Sequence, residues 1–363
     1  MVQITQVDAA LYRLPVEMPY RDEPIQSTYV ITTIETDDGP TGYGITGMLW
    51  QRSTKEFINT EIAPLLIGQS PTDTGRIREV LRSELNARYQ TGVWCTAVSA
   101  VDIALWDING KRFGEPIWRL LGGAQDTVET YITCGLLEHT DEQVVAVAEE
   151  FVADGETRLK LRVGGPDPDP RTDARRVQAV REAVGPEIEL MIDANHSYSL
   201  NEALELANRV APHVITWFEE PIQANDLDLL ADFRRRSSIP TAVGQNEGDP
   251  IRHREFMSRG AVDISQPNVC FVGGFTGGRQ VALTAKSFNH KIANGASYPH
   301  LNMHLQAGMT NGWRVEFHDH GTRAAEMLFE DPPASENGHV TLPTAPGLGV
   351  SIDWATIEEY RVG

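Results

Sequence analysis

From about residue 125 the chain alternates short apolar runs with amphipathic ones, and this alternation limits the possible folds more than any other feature. The candidate strands are VETYIT (128–133), TRLKLRV (157–163), IELMIDAN (188–195), VITWFEE (214–220), PTAVGQ (240–245), AVDISQPN (261–268), HKIANGA (290–296) and WRVEFH (313–318). Between them lie runs such as TDARRVQAVREAV and SLNEALELANRVA, apolar at helical spacing. Parallel strands need a crossover helix between them. Seven or eight strand–helix units at a pitch of ~25–30 residues therefore predict a closed, TIM-like parallel (β/α) barrel.

The first part of the chain reads differently. ITQVDAALYRLPV alternates like a strand, and TYVITTIETDDGPTGYG reads as a hairpin turning at Asp37-Asp38-Gly39-Pro40. Helical segments follow at roughly 51–66, 72–88 and 93–113, the last closing on Gly114. The expected organisation is an N-terminal α+β domain (1–123), the barrel (124–335) and a C-terminal segment (336–363) that packs back on the first domain.

Composition closes off other classes. The net charge is −20, and no basic cluster is longer than Arg234-Arg235-Arg236. Neither nucleic acid nor an anionic membrane is an expected partner. Cys95, Cys134 and Cys270 lie far apart with no CxxC, which fits a reducing compartment. The N-terminus has no basic n-region, and no run reaches the ~18 apolar residues of a spanning helix. The expectation is a cytoplasmic protein.

In a barrel of this kind the site lies where the strands end. The second strand ends in Lys160-x-Arg162, the third in Asp193-Ala194-Asn195 and the fourth in Glu219-Glu220. The fifth ends in Gln245-Asn246-Glu247, the sixth in Gln266-Pro267-Asn268, and the eighth carries Glu316 and His318. A lone Asp at a strand end is more often a helix cap or ion-pair partner. Asp193, Glu219 and Gln245, however, stand 26 residues apart at each step, one unit per step, and so should ring the mouth at similar height. Oxygen ligands in that arrangement suit Mg²⁺. Lys160 has the length and chemistry of a proton acceptor, and Arg162 and a divalent ion nearby would favour its neutral form.

These stretches also resemble a known family. SAVDIALWDINGKRFGEPIWRLLGG (99–123), LKLRVGG (159–165), MIDANHSYS (191–199), WFEEPI (217–222) and GAVDISQPNVCFVGGFTG (260–277) are together similar to the enolase superfamily, in its mandelate racemase/muconate lactonizing group. The resemblance implies a capping domain over a (β/α)7β barrel, Mg²⁺ on three strand-end carboxylates, and removal of the proton α to a substrate carboxylate. It further implies a homo-oligomer. Carried over, Asp193 and Glu219 match metal ligands, Lys160 the base and Glu316 the acid that hydrogen-bonds the developing oxyanion. The loops Met18–Gln26 and Thr46–Trp50 match those that select substrate. Arg162, Asn195, His196, Asn268 and Trp50 are the candidate substrate contacts.

The departures are specific. The third ligand is Gln245, a neutral amide; Glu247, two residues on, could restore the charge. The sixth-strand Asp is Asn268, and the seventh-strand His is replaced by Asn294, Gly295 or Ala296. His300 is the expected substitute acid, with His304, His318 and His196 as further candidates. The leading expectation is an Mg²⁺-dependent dehydratase acting on an acid sugar or similar hydroxy-carboxylate. The alternatives are a cycloisomerase, epimerase or racemase of a sugar acid or lactone, and a catalytically silent barrel that binds a carboxylate.

Overall fold

Two glycines in GYGITG decide how the first layer packs. The computed structural model describes residues 2–85 and 91–362, and opens with an antiparallel sheet of β1 (Ile4–Val16), β2 (Ile25–Thr36) and β3 (Gly42–Gly47). Gly42 and Gly44 share one face of β3 by the period of two. A methyl group on either would run into the carbonyl oxygens of Ala104 and Ala100 on the helix Val93–Phe113. With no Cβ there, that helix lies directly on the sheet. It is apolar nearly all round and buried along most of its length, as expected of a helix covered on several sides. Of the expected helix 72–88, Thr74–Glu84 is helical, while 86–88 lie outside the described residues.

The second layer is the closed parallel barrel. Its strands are β4 (Thr127–Cys134), β5 (Arg158–Arg162), β6 (Glu189–Asp193), β7 (Ile215–Glu219), β8 (Thr241–Val243), β9 (Ile264–Ser265), β10 (Ile292–Ala293) and β11 (Gly312–His318). They pair in chain order, and β11 pairs with β4 to close the ring. One helix stands between each pair of successive strands, from Asp141–Ala153 to Pro299–Gly308, which makes the barrel (β/α)7β. The helix starts follow local chemistry. Thr140 and Ser199 form capping boxes with Gln143 and Glu202, and Asp169, Asp226 and Asp249 cap with their carboxylates.

Alternation along the strands sorts the side chains. Leu159, Leu161, Leu190 and Ile192 face the helices and join Val177, Val180 and Leu206 in the main core. The opposite parity faces the barrel interior and is unusually polar. At the N-terminal end, Arg314 lies 2.9 Å from Glu129 and 2.9 Å from Glu189, stacked over Trp313, with Arg158 beside both carboxylates. Above this plug sit Tyr131, Met191 and Trp217, and above them the site.

The tail is shared between the layers. His339–Thr341 adds to the barrel edge at β4, whereas Arg361–Val362 pairs with β1. Among the described residues no helix is long and apolar enough to cross a membrane. The three cysteines are buried and free. Placing a methyl at the sheet–helix contact, Gly44→Ala, is expected to destabilise the protein at the upper end of about 1–3 kcal/mol. A urea titration would read this as a lower midpoint with the slope unchanged.

Candidate active site

Three inward side chains of β5 rise through the barrel: Arg158 in the plug, Lys160 in the middle and Arg162 at the mouth. Lys160 is completely buried. Its ammonium lies 2.8 Å from Glu219, 2.8 Å from Glu316 and 3.3 Å from Asp193. An ammonium has three donors, and here each faces a carboxylate. Burial alone would lower the Lys160 pKa, but the surrounding Glu219 and Glu316 charges hold it well above its ordinary value. In this arrangement the Lys160 nitrogen is turned to three carboxylates and lies beneath the cavity rather than on its wall.

The expected ligand positions do converge. Glu219 Oε2 accepts from Lys160, from Gln266 at 2.8 Å and from Trp217 at 3.3 Å, while its Oε1 is buried with no partner. A Cβ on Gly295 would sit 2.7 Å from that Oε1 and 2.9 Å from Gln245 Oε1. The two oxygens therefore share a small space that only glycine leaves open. Asp193 stands beside them, its Oδ1 accepting the Asn195 amide. No group of three or more His, Cys, Asp or Glu side chains among the described residues is arranged to hold a metal ion. Two carboxylates plus an amide oxygen, one of them an orphaned buried acceptor, nevertheless fit a hard cation that keeps waters in its shell.

Gln245 is held by a residue the sequence reading passed over. Its amide donates to Glu220 at 2.8 Å, and Asn225 donates to the other Glu220 oxygen at 2.8 Å. Burial pushes the Glu220 carboxyl up to about 7, with nearby Asp193 adding to the shift. A residue after the strand-end Glu should face away by alternation, but Glu220 has φ of 42°, in the left-handed region. That turn brings its side chain back to Gln245. Glu247, expected to supply the missing charge, faces Arg252 at 3.8 Å instead. The tight turn after Gly244 ends the strand period before Glu247 is reached.

Glu316 sits opposite. Burial disfavours its charged form, but Lys160 and the Ser297 N–H at 2.6 Å outweigh this and hold its pKa down to about 2. Thr133 also donates to it at 2.5 Å. The Ser297 amide points there because Ala296, Ser297 and Tyr298 all have positive φ, strain of roughly 1–3 kcal/mol per residue. Asn268 holds this loop, donating to the carbonyls of Gly295 at 2.7 Å and Ala296 at 3.3 Å. Asn268 is wholly buried in that role, so the expected substrate contact is corrected to a loop clamp.

A cavity of ≈ 390 Å³ opens above, between cap and barrel, lined by Gln26, Ser27, Met48, Arg162, His318 and His320 among others. Both cap loops expected to select substrate reach it, through Gln26 and Met48. Trp50 does not line it and is 52% exposed. His300 is not at the mouth. Its Nε2 is bonded to the Pro333 carbonyl at 2.9 Å, its ring packs on Phe317 and Phe329, and burial pushes its pKa down to about 4. Its place at a helix start directs it into the core beneath that helix, which overturns its expected role as the acid. His304 is likewise buried, bonded to the Leu348 carbonyl at 2.9 Å. Asn195 and His196 lie on the left-handed turn after β6 and do not line the cavity.

Residues 1–122 match the family described as mandelate racemase/muconate lactonizing enzyme, N-terminal domain, and residues 143–356 match the enolase C-terminal domain-like family. The chain is 33% identical to D-galactarolactone cycloisomerase of Agrobacterium fabrum, over 99% of each chain. It is 31% identical to arabinonate dehydratase of Saccharolobus solfataricus, over 92% of this chain and 90% of that one. It superimposes, with a TM-score of 0.91 and 29% identity, on a racemase from Streptomyces coelicolor crystallised with bound magnesium, over 99% of this chain and all of the other. The cap over a (β/α)7β barrel, the strand-end acids and these full-length matches agree: the chain belongs to the enolase superfamily, in its mandelate racemase/muconate lactonizing enzyme group.

Proposed function

We propose that the protein removes the proton α to a carboxylate in an acid sugar or similar hydroxy-carboxylate and then expels the β-hydroxyl, as a dehydratase. The observation that carries this reading is the dry nest of Lys160, Asp193, Glu219 and Glu316 beneath a polar cavity. Asp193, Glu219 and Gln245 would hold Mg²⁺. A bound Mg²⁺ supplies Lewis-acid polarisation of the substrate carboxylate. Lys160 adds a fixed positive charge where the enediolate forms, in a site from which water is excluded. Glu316, oriented by Thr133 and the Ser297 amide, positions that ammonium. The Arg162 guanidinium suits a substrate carboxylate or hydroxyls at the cavity wall. In this reading residues 1–123 cap the barrel and bring Gln26 and Met48 to the substrate. A cytoplasmic homo-oligomer is part of the same proposal.

A second reading has its own support: the cycloisomerase relative matches over the full chain, and cycloisomerisation of a lactone starts with the same proton removal. A panel of acid sugars and their lactones, incubated in D₂O with and without Mg²⁺, separates the two. Dehydration is expected to lose one water and yield a 2-keto-3-deoxy acid. Isomerisation loses no water, and its product is heavier only by the deuterium taken up from solvent. Turnover should stop on chelation of the metal. Binding of a carboxylate with neither product would leave the silent-barrel reading.

Glu316→Gln is expected to lower kcat by about 10²–10³, since it removes the carboxylate that holds the Lys160 ammonium in place at 2.8 Å beside the developing oxyanion. KM should change little. Glu219→Gln is expected to abolish the rise in Tm that Mg²⁺ gives the unaltered protein. An equal thermal shift in both proteins would remove Glu219 from the ligand set.

A further inference from the structure

The proton chemistry still lacks a group that can carry it. The cavity wall holds few titratable side chains among the described residues: Arg162, His318, His320, Tyr29 and Tyr298. The Arg162 guanidinium has donors and no acceptor. Burial pushes Tyr298 well above its ordinary pKa and raises Tyr29 as well. The tip of β10 contributes Gly295 and Ala296, which have nothing to titrate. His320 is engaged with Ser27 Oγ at 2.8 Å, tying the helix after β11 to the cap. His318 is different. It is the third inward residue of β11, above Arg314 and Glu316, and its Nδ1 is buried without a hydrogen-bond partner.

We propose that His318 is the catalytic residue that relays the substrate proton, first as base and then as acid. The inference rests on the dehydratase reading above. The neutral imidazole takes the proton from the carbon α to the carboxylate: the C–H bond breaks, the N–H bond forms and the electron pair enters the enediolate. The imidazolium then returns that proton to the β-hydroxyl as the C–O bond breaks. One water leaves, the enol becomes the 2-keto acid, and the histidine is neutral again. One ring on one face of the substrate serves both steps, which requires a syn elimination. Around it stand Glu316 on its own strand, Lys160 and Arg162 from β5, and His320 from the following helix. Burial pushes the His318 pKa down to about 4, with Glu316 opposing and Arg162 reinforcing the shift. The resting ring is therefore neutral near pH 7, the form a base needs.

The test is turnover and α-proton exchange in D₂O by the Mg²⁺-loaded full chain, with whichever acid sugar the panel identifies. His318→Gln is expected to lower both exchange and product formation by about 10²–10⁴, with the Mg²⁺-induced thermal shift retained. Added imidazole should restore part of the activity of His318→Ala. In the unaltered protein kcat/KM should fall as pH drops through about 4 to 5, because protonation removes the base. Exchange by His318→Gln within tenfold of the unaltered rate overturns the proposal and leaves the dehydratase reading standing. If His318→Gln fails to fold, the pH profile decides, and a flat profile down to pH 4 overturns it. No turnover of any acid sugar or lactone by the unaltered protein overturns both.

Discussion

The arrangement of the site depends on one buried ammonium. Lys160 has no contact with solvent, and three carboxylates from three other strands converge on it. Burying such a group is costly unless its charge is met and its donors are used. Here both conditions hold, and they work in both directions. Lys160 can remain charged in the interior because Asp193, Glu219 and Glu316 surround it. Those acids can lie so close together because Lys160 stands between them. The same logic operates one layer lower, where Arg158 and Arg314 meet Glu129 and Glu189. The barrel is thus filled by alternating charge as well as by side-chain volume, and its apolar core lies outside the strands, against the helices.

The mouth relies on strained backbone. Glu220 and the run Ala296–Tyr298 all take left-handed conformations. Each aims a group that regular strand geometry would point elsewhere: the Glu220 carboxylate at Gln245, and the Ser297 amide at Glu316. Asn268, Asn294 and Asn302 hold the second of these turns through its carbonyls. Their amides do for the loop what a charged side chain in the same place could not, since a carboxylate has no donor to offer a carbonyl. The neutral residues at 245 and 268 therefore each have a partner that needs an N–H.

Much of this was readable in advance where a period governs the outcome. Strand and helix order, the interior parity of Lys160, Asp193, Glu219 and Glu316, and the placing of Asp193, Glu219 and Gln245 at successive strand ends all follow from alternation and the equal step between units. Reading failed where the chain leaves a period. Glu247 was assigned by strand alternation beyond the end of the strand, and Glu220 was overlooked for the same reason. His300 was expected at the mouth as the substitute acid, whereas the direction of its helix decided where the ring went. Lys160 was read as the base from its chemistry and the resemblance, but Arg162, one inward position higher, is the residue at the cavity.

The sequence by itself determined the architecture, the family and the inventory of acids at the strand ends, because repeating hydrophobic patterns and fixed unit lengths survive as information in one dimension. Only the tertiary structure decided which partner each charge meets. Depth in the barrel, left-handed turns and the approach of the cap are set by contacts between residues far apart in the chain. Those contacts bury Lys160 among three carboxylates, give Gln245 its acid neighbour and leave the His318 Nδ1 without a hydrogen-bond partner at the cavity wall.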